Sequence, residues 1–292
     1  MNAAFRFQQS IAKPVTVSGF GYWSGLDVQV EFRPAAADEG FTFVRRDVSG
    51  TPRIPVQVGN RVDIPRRTTL TVDGTSVDMV EHILAALAGM HVDNCEIWVN
   101  RAEMPGCDGS SQAFVSAIQR AGIVRQNILR PKLIIDQVIR VGTNDCWILA
   151  EPDQSGQYQI EYHLDYQQNE VIGQQSFNIS ITPQSFVNEL ASARTFVLKQ
   201  EADWMRRQGI GARTTYQDVL VFDDNGPIEN QLRFKDECVR HKTLDVVGDM
   251  ALAPFDIVGR ITGSRSGHQL NAELVAELVA RAKIVQPLPK SA

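Results

Sequence analysis

His241, Asp245 and Asp249 recur every fourth residue within Glu237-Cys-Val-Arg-His-Lys-Thr-Leu-Asp-Val-Val-Gly-Asp249. In a helix that spacing stacks them along one face. A neutral imidazole and a carboxylate one turn apart can reach the same divalent ion and leave the next carboxylate to orient another group; mixed nitrogen and oxygen ligands suit zinc. The spacing also occurs on ordinary solvated helix faces, so an exposed helix stands as the alternative. A second imidazole, His82, lies in Met79-Val-Glu-His-Ile-Leu-Ala-Ala-Leu-Ala-Gly89. There Val80, Ile83, Leu84 and Leu87 form an apolar stripe, and Glu81 and His82 stand off it. His82, His241 and Asp245 would give three metal ligands and leave a fourth position open to water, as a catalytic zinc requires. Glu81 is then placed to take a proton from that water. His268, in the glycine-containing stretch Gly263-Ser-Arg-Ser-Gly-His268, can stabilise charge or protonate a leaving group; the plain alternative is a surface-loop histidine. The remaining histidines, His91 and His163, are assigned no role.

Positioning these side chains needs two similar sets of elements. Strands are expected on both sides of Gly19-Phe-Gly-Tyr-Trp-Ser-Gly25, where Val15 and Val17 alternate before and Val28, Val30 and Phe32 after. No helix start follows these glycines and no P-loop lysine accompanies them, which argues against a phosphate cradle. Short strands over 41–46, 54–58 and 68–72 follow, with a turn at Asp73-Gly74. Then come the helix carrying His82 with Gly89 as its C-cap, a strand over 95–100, a helix capped near Asp108 and ending about Ala121, and a linker over 126–131. The second half runs strands over 132–140, 147–151, 157–166 and 170–181. Helices over 184–194 and 199–207, a strand over 219–222, the helix of His241, a strand over 256–262 and a helix over 271–283 complete it, before a tail with Pro287 and Pro289. In each half a histidine-bearing helix is followed by a strand, a glycine-containing loop and a last helix. The fold class expected is α+β, with two similar units, 1–127 and 128–292, each a sheet with helices on one face. Packed helix layer to helix layer, they would bring Glu81 and His82 into one cleft with His241, Asp245 and Asp249.

The composition agrees with a globular protein that does not bind nucleic acid. Of 292 residues, 43% are hydrophobic and 22% charged, and the formal charge is −5; the pI is near 5.6. Cys95, Cys107, Cys146 and Cys238 are scattered without a Cys-x-x-Cys pair, so neither a disulfide framework nor a thiolate zinc site is indicated. The first residues lack a basic start with an apolar run, and no stretch reaches about 18 consecutive apolar residues. The expectation is a cytoplasmic monomer without a membrane span.

Several segments together resemble one family, the zinc-dependent UDP-3-O-acyl-N-acetylglucosamine deacetylases of lipid A synthesis (LpxC). They are Val80-Glu-His-Ile-Leu-Ala-Ala-Leu-Ala-Gly89 with Asp93-Asn94, Met104-Pro-Gly-Cys-Asp-Gly-Ser110, Ala193-Arg-Thr-Phe196, Leu232-Arg-Phe234, Val239-Arg-His-Lys-Thr-Leu-Asp-Val-Val-Gly-Asp249 and Ser266-Gly-His-Gln-Leu-Asn271. The resemblance runs nearly end to end. It implies a β-α-α-β sandwich, zinc on His82, His241 and Asp245 with ferrous iron an acceptable substitute, and hydrolysis of an N-acetyl group on a UDP-linked acylated amino sugar. It further implies Glu81 as general base, His268 as acid or electrostatic catalyst, Asp249 as the carboxylate orienting His268, and Thr195 as an oxyanion donor. Lys242 would meet the substrate or its diphosphate, and Phe196 would wall the sugar-nucleotide; the plain alternatives are a solvated lysine and a core phenylalanine. This chain departs from the family pattern around the substrate: Trp23 stands for a usual His, Met79 for a Thr, Arg265 for a Lys, and Gly211-Ala-Arg-Thr-Thr-Tyr216 lacks the expected Gly-Gly-Ser. Over 165–180, where an insert would shape the acyl passage, Gln167, Gln168, Gln174 and Gln175 predict a polar lining. Since each methylene gains about 0.8 kcal/mol on burial, such a lining would weaken a long acyl chain. The sequence therefore leaves open the same chemistry on a different N-acyl sugar, and a non-catalytic binding protein on the same fold.

Overall fold

The computed structural model describes residues 5–166 and 169–286. Gln167, Gln168 and the tail with Pro287 and Pro289 lie outside the described residues. The fold is α+β, with six α-helices among the described residues: α1 (Glu81–Gly89), α2 (Gln112–Ala121), α3 (Pro183–Ser185), α4 (Lys199–Arg207), α5 (Glu237–Met250) and α6 (His268–Arg281).

A five-stranded sheet takes the order Val15–Phe20, Asp27–Pro34, Cys95–Val99, Phe41–Arg45, Arg53–Pro55. Only Phe41–Arg45 and Cys95–Val99 pair in parallel. Period-two patterning makes these strands: in Asp27–Pro34, Val28, Val30 and Phe32 are buried and their neighbours are not. The hairpin Thr69–Val72 with Thr75–Asp78 turns at Asp73 and Gly74, φ 47° and 76°, the two left-handed residues that a tight hairpin needs.

The larger sheet has seven strands. Its main path is Ile139–Gly142, Trp147–Glu151, Asp256–Ser264, Lys132–Ile134, Lys283–Val285, and Tyr158–Tyr166 with Gly173–Ser180 branches from Asp256–Ser264. Packing runs from the first sheet through α2 to α1, across to α5, and from α5 to α6 and the strand pair 158–180. One apolar cluster extends from Ile11 to Leu278 and includes the fully buried Ile83, Leu84 and Leu87 of α1. Burial of each such side chain contributes about 1.5–3 kcal/mol. Among the described residues no helix is long and apolar enough to cross a membrane.

Three local expectations are corrected. The segment read as a linker over 126–131 is largely strand: Ile123–Leu129 pairs antiparallel with Phe7–Ile11. The helix expected over 184–194 is a single α turn, Thr182 capping Ser185, continued by a π turn over Phe186–Leu190. Gly89 is no left-handed cap either; His91 takes φ 56°. Gly89 is needed because a Cβ there would lie 2.3 Å from the Phe186 ring.

Candidate active site

The crossing of α1 over α5 sets the site. It is close because of Gly248, where a Cβ would lie 2.2 Å from the Glu81 carbonyl oxygen. The first turn of α1 therefore lies directly against α5, and the His82 and His241 rings stand 5.1 Å apart, edge to face. Both faces of α5 are buried, the apolar one by its own core and the polar one by α1.

His82, His241 and Asp245 offer ligand atoms that all lie within 4.8 Å of one another. Asp245 Oδ1 is 3.8 Å from His82 Nε2 and 3.4 Å from His241 Nε2. Three observations bear on whether a metal fits. His241 Nδ1 lies 3.1 Å from the Ala193 carbonyl, which can only accept, so Nδ1 carries the proton and Nε2 turns a lone pair to the cluster. Burial, then the neighbouring His241, lowers His82 to about 3, and burial lowers His241 as well. Both imidazoles are thus neutral, as ligation requires. Asp245 is the third. Burial opposes its charge, but Lys242 foremost and the histidines hold it ionised. Its Oδ2 accepts from Lys242 Nζ at 2.7 Å, while Oδ1 is buried with no hydrogen-bond partner among the described residues. A buried anionic oxygen without a partner costs several kcal/mol, and a cation between it and two imidazole nitrogens removes that cost. The donor set fits a divalent ion.

Glu81, Asp249 and His268 form a second buried group beside the first. The Thr68 backbone N–H donates to Glu81 Oε2 at 2.9 Å. Burial lifts Glu81 to about 7, with the charge of His268 pulling it back and Asp249 and Asp245 pushing it up. His268 is not in a loop: it is the first residue of α6, preceded by the extended Gly267. Its Nδ1 meets Asp249 Oδ2 at 2.9 Å. Burial works against its charged form, but Asp249, then Glu81, outweigh that and raise it to about 9. Asp249 itself is fully buried and also accepts from Asn271 Nδ2 at 2.8 Å and Thr68 Oγ1 at 2.5 Å. With Nδ1 committed, His268 has Nε2–H to offer.

Both groups open onto a cleft of about 960 Å³ lined by Glu81, His82, Thr195, Phe196, Lys242 and His268, among others. Thr195 donates its N–H to Gly109 O at 2.7 Å and accepts at its carbonyl from Leu220 N at 3.1 Å. Its hydroxyl is what it can offer a ligand. Lys242, expected at the substrate, lines the cleft but spends its ammonium on Asp245. Phe196 stands against Tyr166 (5.5 Å), Phe222 (6.3 Å) and His241 (6.4 Å between ring centres), an aromatic wall beside the ligands.

The departures from the family pattern also line this cleft: Trp23, Met79, Arg265, Gly211 and Thr214. The polar passage expected over 165–180 is corrected for the described glutamines. Gln174 is exposed, and Gln175 bridges Ile172 O and Val239 N. The apolar wall comes instead from Phe196, Leu198, Ala202, Met205, Val219 and Val221, around α4. The sequence reading gave no role to Thr68 or to α4. Thr68 belongs to no motif, and the pattern over 199–207 predicts a helix but not what it packs against.

A family model for UDP-3-O-acyl N-acetylglycosamine deacetylase matches residues 8–280. A UDP-3-O-acyl-N-acetylglucosamine deacetylase of Anaeromyxobacter sp. (strain Fw109-5) is 35% identical over 274 residues, 94% of this chain and 88% of the relative. That of Oleidesulfovibrio alaskensis is 37% identical over 265 residues, 90% and 86% of the two chains. That of Brucella ovis is 33% identical over 282 residues, 96% of each.

Proposed function

The chain belongs to the UDP-3-O-acyl N-acetylglycosamine deacetylase family, and we propose that it hydrolyses the N-acetyl group of a UDP-3-O-acyl-N-acetylglucosamine to acetate and free amine in lipid A biosynthesis. The observation that carries this reading is the juxtaposition of a buried, partnerless carboxylate oxygen between two neutral imidazoles with a carboxyl and an imidazole that are both raised, to about 7 and about 9. His82, His241 and Asp245 would hold zinc, or ferrous iron, which when bound supplies a Lewis acid that polarises the amide carbonyl and acidifies water. Glu81 takes the proton of the attacking water; a carboxyl near 7 is balanced between accepting a proton and releasing it. As the amide C–N bond breaks, the amine nitrogen takes a proton from His268 Nε2, which Asp249 keeps charged and oriented through Nδ1. The Thr195 hydroxyl donates to the oxygen that becomes negative. Lys242 holds Asp245 Oδ2 and so leaves Oδ1 turned to the imidazoles. Phe196 and the apolar wall of α4 exclude water and take the acyl chain.

The proposed organisation is two domains, 1–127 and 128–292, in a β-α-α-β sandwich, which the helix-to-helix contact of α1 and α5 supports. The pairing of Ile123–Leu129 with Phe7–Ile11 carries the first unit two residues past that boundary. A cytoplasmic monomer is proposed, since a nucleotide-linked substrate is met there and one chain supplies every residue named. The same chemistry on another N-acyl sugar is a second reading, favoured by the presence of Trp23, Met79 and Arg265 in the cleft lining.

The deciding experiment is acetate release from UDP-3-O-(3-hydroxyacyl)-N-acetylglucosamine by purified, zinc-loaded protein, with His82→Ala as control. Turnover that disappears in the variant is expected. None, with zinc demonstrably bound, would move the assignment to the other N-acyl sugar.

A further inference from the structure

Base and acid sit on different helices, Glu81 at the start of α1 and His268 at the start of α6, and the carboxylate orienting His268 is on a third, α5. Their spacing is therefore not fixed by any one element. One residue outside all three touches two of these groups. Thr68 is 1% exposed; its backbone N–H donates to Glu81 Oε2 at 2.9 Å and its hydroxyl to Asp249 Oδ1 at 2.5 Å. Its own carbonyl accepts from Val80 N at 3.3 Å, just before α1. Thr68 is held in turn by the strand that follows, where Thr69 Oγ1 donates to Asp78 at 2.8 Å.

Of the two residues before it, one lines the cleft and the other packs on a residue that lines it. Arg66 lines the cleft and reaches Glu201 of α4 at 2.9 Å. Arg67 stacks its guanidinium 4.3 Å over the ring of Trp23, itself a lining residue. Trp23 is held through its main chain, its backbone N–H donating to the buried Glu103 carboxylate at 2.7 Å. Three consecutive residues thus tie one strand entry to α4, to the Trp23 turn and to the catalytic carboxylates.

We infer that Thr68 is a positioning residue for this reaction, a single bridge that sets the base on α1 and the acid-orienting carboxylate on α5 at a fixed separation. The inference rests on the deacetylase reading for the roles of Glu81 and His268. The hydroxyl does the part that only a hydroxyl can do. Asp249 Oδ2 already serves His268 and Asn271, so Oδ1 needs a donor from elsewhere to keep the carboxylate plane aligned with the imidazole. The backbone N–H does the other part, and survives any substitution that keeps the local fold.

That division of labour makes the test specific. Thr68→Val keeps shape and N–H and deletes the hydroxyl; Thr68→Ser keeps the hydroxyl and deletes a methyl. Kinetics of acetate release on the metal-loaded full chain, with melting curves to verify folding, are expected to show Thr68→Val with kcat down about 10–100-fold, the usual cost of losing an orienting contact. KM should stay within about twofold of wild type, and Thr68→Ser within about threefold in kcat. A second readout needs no turnover, the low-field proton resonance of the His268 Nδ1–H bonded to Asp249. Removing the donor from Oδ1 is expected to shift it in Thr68→Val and not in Thr68→Ser. An unshifted resonance in Thr68→Val overturns the inference even if wild type proves inactive on this substrate, an outcome that would count against the deacetylase reading alone. In an active enzyme, unchanged kcat in Thr68→Val, or a Ser variant as impaired as Val, also overturns it.

Discussion

Replacing Asp249 by Asn keeps the side chain's size and removes the charge that faces His268. In the native protein burial opposes the imidazolium, and Asp249 is the foremost of the groups that outweigh burial, with a net rise from 6.5 to about 9. Those 2.5 units correspond to about 3 kcal/mol of preference for the charged form. The imidazole is only 11% exposed, so solvent screens little of that. A contacting carboxylate is worth about 1–3 units; with Glu81 and Asp245 still in place, His268 should titrate about two units lower in the variant. The direction follows from its role. As the proposed acid, His268 must be protonated to act, so activity should fall as pH rises through its pKa. The descending limb of kcat/KM should therefore lie near 9 in wild type and move down about two units in Asp249→Asn. On the alkaline side the rate should approach the full loss of acid catalysis, about 10²–10⁴-fold. The ascending limb, assigned to the proposed base Glu81, should shift far less. Acetate release measured from about pH 6 to about pH 10 reads both limbs. A descending limb that stays in place while the rate falls would refute the electrostatic role of Asp249 and leave it a merely steric one.

Gly248→Ala puts a methyl carbon 2.2 Å from the Glu81 carbonyl oxygen, so α1 must move off α5. The ligand atoms now within 4.8 Å would separate; metal affinity should fall at least tenfold and stability by about 1–3 kcal/mol. Competitive metal titration and thermal melting measure both, and unchanged metal affinity would show that the helices' closest approach does not set the site. Glu237 is fully buried and accepts from Arg194 N at 3.0 Å, Arg194 Nε at 2.8 Å and Arg233 N at 2.6 Å. Glu237→Ala leaves Arg194, 5% exposed, with a buried unpaired charge, and should cost about 3–5 kcal/mol in urea unfolding. A cost under about 1 kcal/mol would mean that the pair is exchanged for water at no loss.

What the sequence made legible is what repeats or recurs at short range. The four-residue recurrence of His241, Asp245 and Asp249 requires only that the segment be helical, and it is. Alternation of Val28, Val30 and Phe32 marks Asp27–Pro34, and Asp73-Gly74 marks its hairpin. The contacts that complete the site come from far along the chain and leave no local period. Thr68 meets Asp249 across 181 positions, and the Ala193 carbonyl that fixes the His241 tautomer lies 48 positions away. The glycines at 263 and 267 predict a loop for His268, whereas Gly267 is extended and the helix begins at once. The glutamines of 165–180 misled for a related reason: polarity was read without knowing the face. Gln175 is polar because it serves the start of α5, not because it lines a passage.

The arrangement also explains why so many charged groups are tolerated out of water. Three buried carboxylates, Glu81, Asp245 and Asp249, face two cationic side chains, Lys242 and His268. Burial of an unmatched charge costs several kcal/mol, and that excess appears as the elevated proton affinity of Glu81, the one carboxylate with no cation or hydroxyl bonded to it. A divalent ion held by His82, His241 and Asp245 would reverse the sign of the balance. The site would then have one positive charge in excess, which would suit an amide oxygen that gains negative charge and would stabilise Glu81 as the proposed ionised base. The same residues would serve poorly as a passive sugar-binding surface, because a neutral ligand gives such a cluster nothing to neutralise. Lys242 fits this account better as the partner of Asp245 than as a hand for the diphosphate. Removed from Oδ2, its charge would leave that oxygen as partnerless as Oδ1 and blur the distinction that aims Oδ1 at the imidazoles.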